Sequence, residues 1–174
     1  MLNALTFDVE DWFHGLELPQ ADWQRFEPRL HIGLSVILRH LAEAGARATF
    51  FVLGCVAQEQ PHLVECIAAA GHEIGTHGWA HTPIYRQTRA EFHDELHRSI
   101  ETLTHLSGQP IVAHRAAFFS ITRQTRWALD ELSCAGVRVD SSVFPIHNYR
   151  YGIPNAPRFP HRVNGGALTE FPIS

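Results

Sequence analysis

The stretch "ARATFFVLGCVAQEQPHLVECIAAAGHEIGTHG", residues 46–78, decides the fold class. Its first part, ARATFFVLG (46–54), is β-branched and aromatic and reads as a strand. EQPHLVECIAAAG (59–71) has a Pro near its start and Gly71 at its end, the asymmetry of a helix. HEIGTHG (72–78) reads as a short strand that runs into a loop. The same alternation extends on both sides. LNALTFD (2–8) is a short apolar strand, and RLHIGLSVILRHLAEAG (29–45) spaces Leu30, Leu34, Ile37, Leu38 and Leu41 as a helix with a Gly stop. TRAEFHDELHRSIETLTHLSG (88–108) is the longest predicted helix, with Phe92, Leu96, Ile100 and Leu103 as its apolar stripe. PIVAHR (110–115), TRQTRWALDELSCAG (122–136) and VRVDSS (137–142) then predict strand, helix and strand, and LTEFPIS (168–174) reads as one more strand. Strands alternating with helices predict an α/β fold with a parallel sheet, wound open or closed into a barrel. No linker, repeat or low-complexity tract divides the chain.

Composition narrows the function. At 174 residues and 45% apolar content, the chain suits one domain with a sizeable core. A net charge of -4 and a pI near 6.3 supply no basic field for nucleic acid. Three cysteines, Cys55, Cys66 and Cys134, without CxxC spacing predict reduced thiols and no disulfide framework. Met1 leads straight into the first strand with no basic n-region, and no apolar run approaches the ~20 residues that span a bilayer. The expectation is a soluble, cytoplasmic chain without a membrane segment. The unusual count is 13 histidines, each a potential metal ligand or proton carrier near neutral pH.

In parallel α/β folds the functional groups gather at the carboxyl ends of the strands, and here those ends carry Asp8, His77, Arg115 and Asp140. TFDVEDWFHG (6–15) adds Glu10 and Asp11 behind Asp8. Acidic residues after a strand are commonly solvated or cap the next helix. The pair in THGWAH weighs against that reading for all of them: His77 and His81, four residues apart, can aim two imidazoles at one ion. Two imidazoles and a carboxylate leave positions open for water and substrate, the arrangement of a hydrolytic metal site, and a further carboxylate is then free to act as a base. Spacing leaves Glu10 and Asp11 both open as the ligand. Trp12, Phe13 and Trp79 follow these motifs closely, as sugar-stacking rings or as core.

These residues resemble the polysaccharide deacetylases of carbohydrate esterase family four. TFDVEDW is similar to the first motif of that family, THGWAH to the second, HRAAFFS at Arg115 to the third, and VDSSVFP (139–145) to the fourth. DVEDWF, ATFFVLG and DSSVFP together are most similar to the branch associated with bacterial exopolysaccharide biosynthesis. The resemblance implies a distorted, incomplete (β/α) barrel of mainly parallel strands with outer helices, a single catalytic domain over residues 1–174 cut short at its C-terminal end. It implies a metal-dependent hydrolase that removes N-acetyl groups from the amino sugars of a glycan. Its cofactor would be one divalent ion, Zn2+ first, with Co2+, Ni2+ or Mn2+ as other ions, held by His77, His81 and Glu10 or Asp11. Asp8 would be the base, with Arg115 orienting it. Phe118 and Asp140 would belong to the substrate pocket, together with Trp12 and Trp79. Asp140 would alternatively support Arg115 or cap the next turn. The family's late His, its general acid, is expected beyond residue 174, since His147 and His161 stand in a different context. A barrel short of its last strands would leave edges through which the chain could self-associate. The rival readings are a cyclic amide or ureide hydrolase of the same fold and a non-catalytic sugar-binding domain.

Overall fold

The computed structural model describes residues 4–16 and 18–173. The parallel strands β1 (Thr6–Val9), β2 (Thr49–Val52), β3 (Glu73–Thr76), β4 (Ala113–His114) and β5 (Val139–Asp140) lie side by side in chain order. β6 (His161–Val163) and β7 (Leu168–Glu170) complete one sheet of order β1-β2-β3-β4-β5-β7-β6, in which β7 runs parallel to β5 and β6 antiparallel at the edge. Among the described residues β1 and β6 remain the two edges, so the sheet is an open one. The helices are α1 (Leu30–Ala44), α2 (Gly54–Glu59), α3 (Pro61–Ala69), α4 (Arg89–Ser107) and α5 (Ala128–Cys134). None is long and apolar enough to cross a membrane among the described residues.

Two apolar clusters hold the helices to the sheet. Phe50, Val52 and Ile74 of the central strands pack with Leu34, Leu41, Val64, Ile67 and Leu103. Phe92 and Leu96 of α4 form a second cluster with Leu129, Leu132, Val143 and Leu168. α4 contributes to both clusters, and its ends are well specified. Thr88 and Glu91 form a reciprocal capping box at its start, and Gly108 takes the left-handed φ of 66° that ends it. The start of α1 has no side-chain cap of its own. Asp11, just beyond β1, accepts the backbone N–H groups of Arg29 and Leu30 at 2.8 and 3.1 Å instead. One carboxylate therefore ties the first strand's carboxyl end to the first helix.

The predicted elements exist, but several are shorter. The strand expected at 2–8 is Thr6–Val9, one residue beyond Asp8; Leu2 and Asn3 of that expectation lie outside the described residues, as does Ser174 at the other end. The 46–54 strand is cut to Thr49–Val52 because Gly54 already opens α2, a short helix that the 46–78 pattern did not reveal. The 122–136 helix is reduced to α5. Its first turn is lost to side-chain bonds, since Thr125 Oγ1 accepts from the Thr122 N–H and donates to the Ser120 carbonyl, offering the backbone an alternative to helix. All three cysteines are free, with Cys55 buried and Cys66 and Cys134 exposed.

Strand β3 is pinched at Gly75, which lies in register with Phe51. A Cβ there would come within 2.7 Å of the Phe51 ring and 2.9 Å of the Ala113 carbonyl oxygen. Only glycine lets the three central strands meet at this point. Gly75→Ala should destabilise the fold by about 1–3 kcal/mol, as overpacking does. Thermal denaturation checks it, and an unchanged Tm would contradict this packing.

Candidate metal and proton-transfer site

Four of the parallel strands hand a polar residue to the same end of the sheet. Glu10 follows β1, His77 follows β3, Arg115 follows β4 and Ser141 follows β5. One ligand atom each from Glu10, His77 and His81 lie within 4.8 Å of one another, the only such group of three among the described residues. The imidazoles are buried and fixed from behind. His77 Nδ1 donates to the Arg115 carbonyl at 2.8 Å, and His81 Nδ1 donates to the His14 carbonyl at 3.2 Å. With those protons on Nδ1, both Nε2 atoms present lone pairs to the site. Burial keeps both rings neutral, lowering the His77 pKa and bringing that of His81 down to about 3.

Glu10 completes the group from the opposite side. Its Oε2 lies 3.1 Å from His81 Nε2, yet it has no hydrogen-bond donor. Two acceptors at that separation need something positive between them, either a proton or a cation. Burial first and the neighbouring Asp8 charge second raise the Glu10 pKa to about 7, the response of a carboxylate without a cationic partner. The donor set therefore fits a divalent ion: neutral imidazoles with oriented lone pairs, one carboxylate, and an unanswered buried oxygen.

Asp8 is held differently. Arg115 Nη1 donates to its Oδ1 at 2.7 Å, and Arg115 Nη2 donates to Thr6 Oγ1 at 3.0 Å. The rest of the guanidinium is bound by Ser141, whose carbonyl accepts from Nε at 3.2 Å and whose hydroxyl accepts from Nη2 at 3.1 Å. The Phe51 ring lies under it, 4.3 Å away. A buried cation with this many partners has one orientation available.

The other predicted residues are placed as follows. Asp11 is buried beside the group without joining it, since its carboxylate caps α1 and also accepts from its neighbour Trp12. Trp12 is half exposed next to Glu10, with its indole N–H donated to the Glu27 carbonyl, and Phe13 is core. Trp79 is also core: its ring covers the Gly54 Cα, where an added Cβ would come within 2.3 Å, and Arg98 stacks on it at 3.5 Å. It offers no face to a sugar. Phe118 does face the site, with its ring 4.5 Å from that of His81. Both residues sit in the left-handed region at φ 54°, sparsely populated by side chains of this kind. Asp140 is fully buried, bound to His114 Nδ1 at 2.6 Å, and reaches Arg115 only through the adjoining Ser141. His147 lines a separate cleft with Tyr149 and Arg150, and His161 lies on edge strand β6. Sequence reading missed His14, Thr6 and Ser141. His14 takes the Asp11 N–H on its Nδ1 at 2.9 Å, and burial lowers its pKa to about 4. Its position inside TFDVEDWFHG was the available signal.

Residues 28–137 match the polysaccharide deacetylase family, a segment that includes His77, His81 and Arg115 and begins after β1. A peptidoglycan-N-acetylglucosamine deacetylase from Bacillus cereus is 31% identical over 96 residues, 55% of this chain and 35% of that protein. A chitooligosaccharide deacetylase from a Bradyrhizobium species is 32% identical over 88 residues, 51% of this chain and 40% of its own length. The chain thus spans well under half of these relatives. A Mycobacterium smegmatis crystal structure assigned to the polysaccharide deacetylases superposes with a TM-score of 0.80 at 27% identity, covering 98% of this chain and 58% of that one. With the family match extending over most of its residues and a solved fold laid along nearly its whole length, this chain belongs to the polysaccharide deacetylases.

Proposed function

We propose that residues 1–174 act as one catalytic domain, a metal-dependent hydrolase that removes N-acetyl groups from the amino sugars of a polysaccharide or oligosaccharide. The observation that carries this reading is the facing pair of acceptors, Glu10 Oε2 and His81 Nε2, beside a carboxylate already bound to an arginine. Glu10, His77 and His81 would hold the ion, with Zn2+ first by its preference for a nitrogen and oxygen set of this kind. When bound, the ion supplies a Lewis acid for the acetamide carbonyl and lowers the pKa of water toward neutrality.

The protein's own groups then divide the work. Asp8 takes the proton of the attacking water, because it is the carboxylate of the site that holds no place among the three candidate ligands. Arg115 aims it, and the Thr6 and Ser141 contacts stop the guanidinium from following its partner. Phe118, packed on His81, walls the site on that side and would contact substrate there, with the Arg150 guanidinium 5.2 Å from its ring. Trp12 is an exposed ring that lines the same cleft as Asp8 and Glu10, suited to a sugar face. The curated relatives named above act on peptidoglycan and chitooligosaccharides, which supports an N-acetylglucosamine-type substrate here. The DVEDWF, ATFFVLG and DSSVFP stretches support assignment to the branch that works in bacterial exopolysaccharide biosynthesis.

Acetate release from N-acetylated chito-oligosaccharides by the Zn2+-loaded protein tests the activity, and a metal-loaded protein that releases none from any N-acetylated glycan would overturn it. Asp8→Asn should abolish turnover while leaving metal content nearly unchanged. Loss of metal in that variant would mean that Asp8 is a ligand and the base lies elsewhere. Glu10→Gln should lower metal occupancy measured by elemental analysis. Asp11→Ala should keep the metal and instead lose about 1 kcal/mol of stability through the missing cap. The opposite pattern for the last two would exchange their roles.

A further inference from the structure

Asp140 and Glu170 stand in register on the adjacent strands β5 and β7, and both are fully buried. Each spends one carboxyl oxygen on visible partners. Asp140 Oδ1 accepts from His114 Nδ1 and from the Ser142 hydroxyl, both at 2.6 Å, while Glu170 Oε1 accepts from the Val143 N–H at 3.0 Å. The second oxygen of each, Asp140 Oδ2 and Glu170 Oε2, is buried with no donor. Two adjacent carboxyl groups with one orphaned oxygen each are satisfied together by a single proton, because an acid O–H donates to a carboxylate oxygen while two carboxylates repel.

We propose that Glu170 is a neutral carboxylic acid that donates its proton to Asp140 Oδ2, and that this bridge positions the 140–143 segment which aims Arg115. The segment is held at both ends of the bridge, by Asp140 itself and by the Val143 N–H. Between them Ser141 grips the Arg115 guanidinium through its carbonyl and hydroxyl, and Ser142 Oγ accepts the Ala116 N–H at 2.8 Å. Glu170 touches no reacting atom and acts only through these residues, as a positioning residue.

Burial is also the leading reason that the Glu170 pKa rises far above the carboxylate range, with the Asp140 charge adding to it. The groups that face it leave this intact. His114 is engaged with Asp140 Oδ1; His161, its register partner on β6, turns its Nδ1 to the Phe159 carbonyl; on α5, Asp130 is exposed and Glu131 is taken by Arg89 and His93. An acid that is protonated when folded and ionised when unfolded stabilises fully below its unfolded pKa of ~4.3, and the contribution declines as the pH rises toward the folded value.

The consequence for catalysis rests on the roles proposed for Arg115 and Asp8, whereas the proton bridge does not, so the tests are separable. Infrared spectroscopy of the metal-loaded protein at about pH 9, where ordinary carboxyl groups are ionised, should show a carboxylic-acid C=O band that vanishes in Glu170→Gln. No Glu170-dependent band would overturn the bridge even if a variant failed to fold. Glu170→Gln, whose amide N–H can replace the acid proton, should keep kcat within about threefold, and Glu170→Ala should lower it roughly 10- to 100-fold at little-changed KM through misplacement of Arg115. Equal loss in both variants would overturn the positioning role. The Tm of Glu170→Gln relative to wild type should rise between about pH 5 and pH 9, and a flat difference would contradict the buried neutral acid. If Asp8→Asn is fully active while the band persists, the catalytic reading falls and the bridge stands.

Discussion

Arg115 must find partners because its guanidinium is buried, and the rest of the site is arranged around how it finds them. It leaves the end of β4, passes over the Phe51 ring of β2, and ends on Asp8 and Thr6 of β1. A single side chain thus spans strands that do not pair with each other, since β2 and β3 lie between. Removing one partner of such a buried pair costs several kcal/mol, on the order of 3–5, because the remaining charge is left uncompensated. Any shift of β1 against β4 would incur that cost, and the sheet end is correspondingly rigid. The glycine at position 75 belongs to the same constraint: it allows Phe51 the room to lie beneath the guanidinium.

The two imidazoles inherit their geometry from this frame. His77 is oriented by the carbonyl of Arg115 itself, so the residue that binds Asp8 also fixes the imidazole whose Nε2 faces Glu10 and His81. His81 is oriented by the carbonyl of His14, whose own ring is held by the N–H of Asp11, the carboxylate that caps α1. Backbone groups of the first and fourth strand-end loops therefore set both tautomers. The left-handed φ values at His81 and Phe118 are what this convergence requires, and packing of the two rings against each other helps to hold them there.

Much of this was legible because it depends on local pattern. The alternation of strands and helices, the four-residue spacing of His77 and His81, and the placement of polar residues after apolar strands are all short-range features. What was not legible depends on partners remote in sequence. Asp11 rather than Glu10 became the helix cap because the N–H groups of Arg29 and Leu30, 18 and 19 residues away, happen to arrive beside it. Trp79 is core because Gly54 leaves a hollow the size of its ring, and no periodicity near position 79 announces that. The short helix α2 was hidden because it begins directly at the end of β2 with no break in apolar character. Thr6 and Ser141 matter only through a guanidinium that comes from neither of their own elements.

The carboxyl groups near the sheet's carboxyl end illustrate how one residue type is given separate states by its surroundings alone. Asp8 faces a guanidinium, Asp11 faces backbone N–H groups at a helix start, and Glu10 faces only neutral imidazole nitrogen and another carboxylate. The first two have found fixed positive or dipolar partners in the protein. Glu10 has not, and its raised pKa and donorless Oε2 are the physical trace of that difference. Other buried polar atoms among the described residues also lack a partner, Asp140 Oδ2 and Glu170 Oε2 among them, but Glu10 Oε2 is the one that does so where two lone-pair-bearing nitrogens converge, a donor set that fits a positive charge the polypeptide does not supply.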